Sequence, residues 1–179
     1  MKTIHKKQEI NIIKGDLFDN IEQIVRAGNN GSSVIVPHVC NNIDLFGAGF
    51  AAETARHYPI VKENYHLLGK SFLQNNLGYV QFVEVLSDKK YEHKLVFANM
   101  IAQRGIINKT SNPRPLNYLA LVKSMVGVSQ YISKNFDGDI QIHAPKFGCG
   151  LAGGNWKFVE ELINDIWSDK IVFIYDIRK

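Results

Sequence analysis

Short apolar runs separated by longer mixed segments set the rhythm of this chain. Residues 9–13 read as a strand ending at Lys14-Gly15-Asp16, and residues 34–39 are apolar except at Pro37 and His38, as expected of a strand covered on both faces. Further strands are predicted over residues 78–86, 94–101, 140–144 and 171–175, giving six in all. Between them the apolar spacing changes to that of helices. Residues 50–58 carry Ala51, Ala52 and Ala55, small enough to let a helix sit close to a sheet, and Pro59 is expected to stop it. A long helix is predicted over residues 115–134, with Pro115 in its first turn and Leu119, Val122 and Val126 as its apolar stripe. Trp156, Val159, Ile163 and Ile166 make a narrower stripe in the last helix. Strands alternating with helices of this length imply an α/β layered fold around a largely parallel sheet. In such sheets ligands bind beyond the carboxyl ends of the strands.

No internal repeat and no Pro-, Gly- or Ser-rich linker divides the 179 residues, so one domain over residues 1–179 is expected. A hydrophobic share of 45% is enough for a sizeable core and excludes a disordered chain. There is no apolar run near the ~20 residues that cross a bilayer, and the opening MKTIHKKQEI has no secretory apolar stretch, so a soluble, cytoplasmic protein with no membrane partner is expected. The net charge of +4 comes from scattered Lys and Arg, with no basic stretch interleaved with aromatics, which argues against nucleic acid as the partner. Cys40 and Cys149 are too few for a disulfide framework and lack zinc spacing, and the six histidines are dispersed, so neither a metal nor a cofactor is expected.

Four segments can carry chemistry. Asp16, just past the first strand, either caps the next helix or meets a ligand. The run His38-Val39-Cys40-Asn41-Asn42-Ile43-Asp44-Leu45-Phe46-Gly47-Ala48-Gly49-Phe50 leaves a buried strand and enters a helix through two glycines, an arrangement that presents backbone N–H groups to a phosphate. Residues 47–52 also fit G-x-G-x-x-A. The six residues before the first glycine, and Leu-Leu-Gly-Lys where an acidic residue is due, argue against a dinucleotide-binding dehydrogenase. Phe147-Gly148-Cys149-Gly150-Leu151-Ala152-Gly153-Gly154 is a second glycine-rich strand-to-helix junction and a candidate backbone cradle. Tyr175, at the end of the last strand, is a candidate to stack on a base or to pack under the sheet edge.

The ordered set of Lys14-Gly15-Asp16, His38-Val39-Cys40-Asn41 with Gly47-Ala48-Gly49, and Phe147-Gly148-Cys149-Gly150-Leu151-Ala152-Gly153 resembles the macrodomain family, which binds ADP-ribose and its derivatives. The resemblance runs from about Glu9 to Asp176. It implies a three-layer α/β/α sandwich around a mixed, mostly parallel six-stranded sheet, and a small-molecule ligand, ADP-ribose or ADP-ribose 1''-phosphate, bound by a monomer. By the same resemblance Asp16 accepts from the adenine amino group with Leu17 adjacent. Gly47, Ala48, Gly49 and Phe50 face Phe147, Gly148, Cys149, Gly150, Leu151, Ala152 and Gly153 across the diphosphate. Asn41 holds the distal ribose, and Tyr175 lines the adenine end.

Within the family the first loop resembles that of ADP-ribose 1''-phosphate phosphatases, whereas Gly148-Cys149-Gly150-Leu151 resembles the terminal ADP-ribose glycohydrolases. Those glycohydrolases use a Lys and an Asp where this sequence has Gln103 and Ala152, which argues against their lysine-adduct mechanism. The expected activity is hydrolysis of ADP-ribose 1''-phosphate to ADP-ribose and phosphate, with His38, Asn41 and Asp44 as the catalytic candidates. Histidine exchanges a proton near neutral pH, an amide can orient water, and a loop carboxylate can act as base. An ADP-ribosyl hydrolase acting on a modified macromolecule and a non-catalytic reader of ADP-ribose are the alternatives.

Overall fold

The computed structural model describes residues 10–138 and 140–176. Six strands form one sheet: β1 (Asn11–Lys14), β2 (Ser33–Asn41), β3 (Val80–Ser87), β4 (Lys94–Gln103), β5 (Ile140–Pro145) and β6 (Ile171–Asp176), in the order β1-β6-β5-β2-β4-β3. Every neighbouring pair is parallel except β3 with β4, so the sheet is mixed and mostly parallel. The helices are α1 (Ile21–Val25), α2 (Gly49–His57), α3 (Pro59–Leu67), α4 (Lys70–Asn75), α5 (Tyr118–Asn135) and α6 (Trp156–Ile166).

Alternation along β2 divides the core in two. Ile35 faces a cluster with Leu121, Met125 and Val128 of α5 and Val159 and Ile163 of α6. Val34, Val36 and Cys40 face the opposite cluster, with Ile21 of α1, Val61 and Tyr65 of α3 and Leu73 of α4. Helices therefore cover both faces, which makes the α/β/α sandwich and explains why β2 is apolar along almost its whole length. Among the described residues no helix is long and apolar enough to cross a membrane.

The helices depart from the predicted pattern in three places. α2 ends before Pro59 as expected, but a further helix begins there at once: Pro59 takes the first position of α3, where its missing N–H costs no bond, and Tyr58 forms the joint between the two. The long helix begins at Tyr118, three residues after Pro115, because Asn117 caps it by accepting from the Ala120 N–H at 2.9 Å. Its buried side is Ala120, Leu121, Ser124, Met125, Val128 and Ile132, and Leu119 and Val126 of the predicted stripe are exposed. The predicted start of the first strand at Glu9 lies outside the described residues.

Candidate functional site

Five parallel strands end at one rim of the sheet. Crossing that rim from its β1 side, the chain presents Gly15-Asp16, then Asp176 of β6, then residues 146–155 after β5, residues 42–48 after β2, and residues 104–117 after β4. The two glycine-rich junctions are therefore neighbours, and the Asp16 turn lies to one side of them.

The first junction is built around Asn41. Its Oδ1 accepts from the Ile43 and Leu45 N–H groups at 3.0 and 3.3 Å, and its Nδ2 donates to the Leu45 carbonyl at 2.5 Å. The Tyr65 hydroxyl, on α3, lies 2.8 Å from the Asn41 carbonyl oxygen and 3.1 Å from Oδ1. Burial pushes the Tyr65 phenol well above the usual tyrosine range, so it stays a neutral donor. These bonds fold residues 41–45 into a tight turn in which Asp44 takes a left-handed φ of 65°. The Asp44 Oδ1 sits 2.7 Å from the His66 Nδ1, and both side chains reach solvent. The turn delivers the chain to Gly47 and then to α2, whose N-cap residue, Ala48, has no side chain able to accept from the first turn. Among the described residues, no hydrogen bond engages the N–H groups of Gly47, Ala48, Gly49 or Phe50.

The second junction differs, because α6 has its own cap in Asn155, which accepts from the Lys157 N–H at 3.0 Å. Among the described residues, the loop itself holds N–H groups that engage no hydrogen bond, those of Gly150 and Leu151 among them. The glycines here do two jobs. A Cβ at Gly154 would lie 2.4 Å from Leu116 Cδ2 and 2.5 Å from the Gly148 carbonyl, so close packing demands glycine there. A Cβ at Gly47 or Gly150 would meet nothing within 4 Å, so those two positions face open space. The junctions touch where Leu151 Cδ1 comes within 3.4 Å of the Cβ position of Gly49.

Several predicted site residues lie under the cleft, not in it. His38 is 1% exposed, on the α2 and α3 side of β2, among Phe46, Phe50 and Phe97. Its Nε2 is 2.7 Å from Asn99 Oδ1, which requires the proton on Nε2. Asn99 Nδ2 in turn donates to Gln81 at 3.0 Å, and Gln81 Nε2 to the Asn64 carbonyl of α3 at 2.8 Å. Burial drives the His38 pKa down to about 4, outweighing the opposing pull of Asn99, so the ring is neutral at pH 7. Cys40 Sγ, 3.8 Å from His38 Nδ1, has its thiol pushed up by burial and is no nucleophile.

Leu17 and Tyr175, at 2% and 3% exposure, belong to the core, and the Tyr175 hydroxyl is 2.9 Å from His143 Nδ1. Of the two readings open for Tyr175, packing under the sheet edge is the one found. Phe147, Gly148 and Ala152 are buried as well, leaving Cys149, Gly150, Leu151 and Gly153 as the accessible part of the second loop. Asp16 is exposed, and its Oδ1 accepts from the Phe18 N–H at 3.0 Å, so it turns the chain toward α1. Phe18 stacks on His57 at 4.3 Å and on Phe50 at 5.3 Å, tying that turn to α2.

Gln103 and Ala152 also meet at this rim. Gln103 forms a bridge with Leu116, and the Leu116 N–H donates to the Ala152 carbonyl at 3.0 Å. Among the described residues no group of three or more His, Cys, Asp or Glu side chains could hold a metal ion. A surface concavity of about 590 Å³ between α5 and the edge strand β3 shares no residue with the two junctions.

No family model matches the chain. It is 26% identical to an ADP-ribose 1''-phosphate phosphatase of Lodderomyces elongisporus over 93% of this chain and 99% of that protein. A Bacteroides thetaiotaomicron protein of unknown function superposes with a TM-score of 0.75 at 29% identity, over 96% of this chain and all of the other. A macrodomain protein from Streptomyces coelicolor superposes with a TM-score of 0.67 at 28% identity, over 95% of this chain and 100% of that one. These likenesses support the chain as a member of the macrodomain family. In this macrodomain Tyr65 and His66 brace the first junction from 20 or more residues away. No local pattern marks either residue, since both sit on a short helix whose burial pattern looks ordinary. His38 does carry a signal, because it shares the parity of Val34 and Val36 and so points into the same covered layer.

Proposed function

We propose that this macrodomain binds ADP-ribose across the rim of its sheet and hydrolyses the terminal phosphate of ADP-ribose 1''-phosphate. One observation carries the reading. Two glycine-rich junctions, each with unengaged backbone N–H groups and one of them opening an uncapped helix, come together at Gly49 and Leu151. That arrangement suits the two linked phosphates of a nucleoside diphosphate. The name of the Lodderomyces elongisporus relative supports the phosphatase part. In this pose Asp16 accepts from the adenine amino group, residues 47–50 and 148–153 hold the diphosphate, and the distal ribose lies by Asn41, Asn42 and Asp44.

Hydrolysis needs a group that takes a proton from water. His38, sealed beneath Phe50 and neutral, is a positioning residue in this scheme, and Asn41 is occupied in holding its own turn. Asp44 is the candidate that reaches solvent, oriented by His66. Water attacks phosphorus as Asp44 accepts its proton, the bond from phosphorus to the C1'' oxygen breaks, and a proton relayed through His66 completes the ribose hydroxyl.

The test pairs calorimetric titration of ADP-ribose with phosphate release from ADP-ribose 1''-phosphate. Asp44→Asn is expected to lower release by ~100-fold or more while ADP-ribose affinity stays within a few-fold. Full turnover in Asp44→Asn overturns the assignment of the base. Binding without phosphate release in the wild type makes the protein a reader, and free ADP-ribose released from a modified macromolecule favours the hydrolase alternative.

A further inference from the structure

Residues 104–117, between β4 and α5, form a hairpin arm whose charge is one-sided. They carry Arg104, Lys109 and Arg114 and no carboxylate. All three cations are exposed, and none takes part in an ion pair among the described residues. The two glycine-rich junctions are the reverse: over residues 41–50 and 147–155 the one charged side chain is Asp44. Among the segments at the rim the remaining cation is Lys146, which Asp176 engages on the β1 side of the cleft.

The proposed reaction needs a cation that the junctions lack. A phosphate monoester carries about 1.5 to 2 negative charges near pH 7. Asp44 brings a carboxylate toward the same phosphorus, and like charges at that range repel. Backbone N–H groups suit the diphosphate, but the group being transferred is stabilised best by a fixed positive charge on its oxygens.

The base of the arm is placed to supply it. The Gly105 N–H donates to Asn42 Oδ1 at 2.9 Å, beside the place of the distal ribose, and Arg104 is the residue before it. The Arg104 backbone is fixed at both ends: its N–H donates to the Pro115 carbonyl at 2.8 Å, and its carbonyl accepts from Asn112 Nδ2 at 2.8 Å. The sheet order puts β4 on the side of β2 away from β1, so a ligand laid from Asp16 across the two junctions has its far end beside Arg104. The other two cations are committed elsewhere. The Arg114 guanidinium lies 4.8 Å over the Tyr118 ring at the start of α5, and Lys109 stands in the turn at the arm's tip, between the bridged Asn108 and Asn112.

We infer that Arg104 binds the terminal phosphate of ADP-ribose 1''-phosphate. This rests on the phosphatase reading of the cleft. A guanidinium offers two parallel N–H groups to two phosphate oxygens and keeps its charge at any working pH. It offsets the repulsion between Asp44 and the substrate, and it separates the phosphorylated ligand from ADP-ribose, which shares every other contact but lacks this one. With the backbone already fixed, only the side chain is ordered on binding.

The test uses the whole chain and two calorimetric probes: ADP-ribose, and the phosphonate analogue of ADP-ribose 1''-phosphate in which carbon replaces the C1'' oxygen and blocks hydrolysis. The wild type is expected to bind the phosphonate about tenfold or more tighter than ADP-ribose. In Arg104→Gln that gain is expected to vanish while ADP-ribose affinity holds, and kcat/KM for ADP-ribose 1''-phosphate to fall about 100-fold. Lys109→Gln and Arg114→Gln are expected to keep the gain. Equal affinity for the two probes in the wild type overturns the inference, as does a gain that survives Arg104→Gln or one lost equally in all three variants. Failure of both probes to bind brings down the reading of the cleft, and the role of Arg104 with it. A gain that depends on Arg104 in a protein that releases no phosphate supports the inference and sinks the phosphatase reading alone.

Discussion

Lowering the pH from 7 to 5 is expected to remove about 4 kcal/mol of stability through two buried histidines. His38 and His143 both have pKa values driven to about 4 by burial, against 6.5 for an open histidine. At and above pH 7 both rings are neutral in the folded and unfolded chain, and neither affects stability. Below 6.5 the unfolded chain binds protons that the folded one does not accept, so stability falls as pH falls from 6.5 and levels off below about 4. At pH 5 the unfolded rings are about 1.5 pH units past their midpoint, and at about 1.4 kcal/mol per unit each contributes a loss of roughly 2 kcal/mol. Asp88, whose carboxyl is lowered by the Tyr91 and Lys90 N–H groups, stabilises above its ordinary range and loses that contribution only at more acid pH, outside this window. Against a typical total of roughly 5–15 kcal/mol, the loss is large.

Urea unfolding followed by Trp fluorescence at pH 7, 6 and 5 measures it, and the slope of unfolding free energy against pH should approach two protons near pH 5. His38→Gln, whatever it does to stability at pH 7, should halve the change between pH 7 and 5. A flat free energy over that range, or an undiminished slope in His38→Gln, would refute the neutral, sealed His38 described here and return it to the list of bases.

Other expectations follow from single contacts. Tyr65→Phe withdraws the hydroxyl from the Asn41 carbonyl and should lower stability by about 1–2 kcal/mol in urea melts, with a weaker calorimetric affinity for ADP-ribose as the first junction loosens. Gly154→Ala forces a Cβ onto Leu116 and the Gly148 carbonyl and should cost about 1–3 kcal/mol by the same melts; an unchanged midpoint would contradict the packing. Gly150→Ala, whose Cβ points into open space, should leave the melt unchanged and reduce ADP-ribose affinity about tenfold.

Much of this was legible because burial writes itself plainly into strands. β2, β4, β5 and β6 are apolar over most of their length since helices cover both their faces, and the glycine-rich junctions that follow β2 and β5 stand out by composition. The helices were harder. Pro59 carries two meanings, stop and start, and both are used here: α2 ends before it and α3 begins at it, whereas the sequence pattern showed only the stop. In α5 the apolar residues Leu119 and Val126 fall on the outer face, where packing against β4 selects Ala120, Leu121 and Met125 instead. The bracing of Asn41 by Tyr65 and the clamping of residues 104–117 to both junctions are long-range bonds, and nothing in a local pattern encodes a partner 24 or more residues away.

The touch of Leu151 on Gly49 has a kinetic side. With a diphosphate lying between the junctions as proposed, the half-exposed Leu151 stands beside its path. The rates of entry and exit then depend on one aliphatic side chain that bears no charge. Trimming it to alanine should hasten arrival and departure together and leave the equilibrium constant nearly where it was.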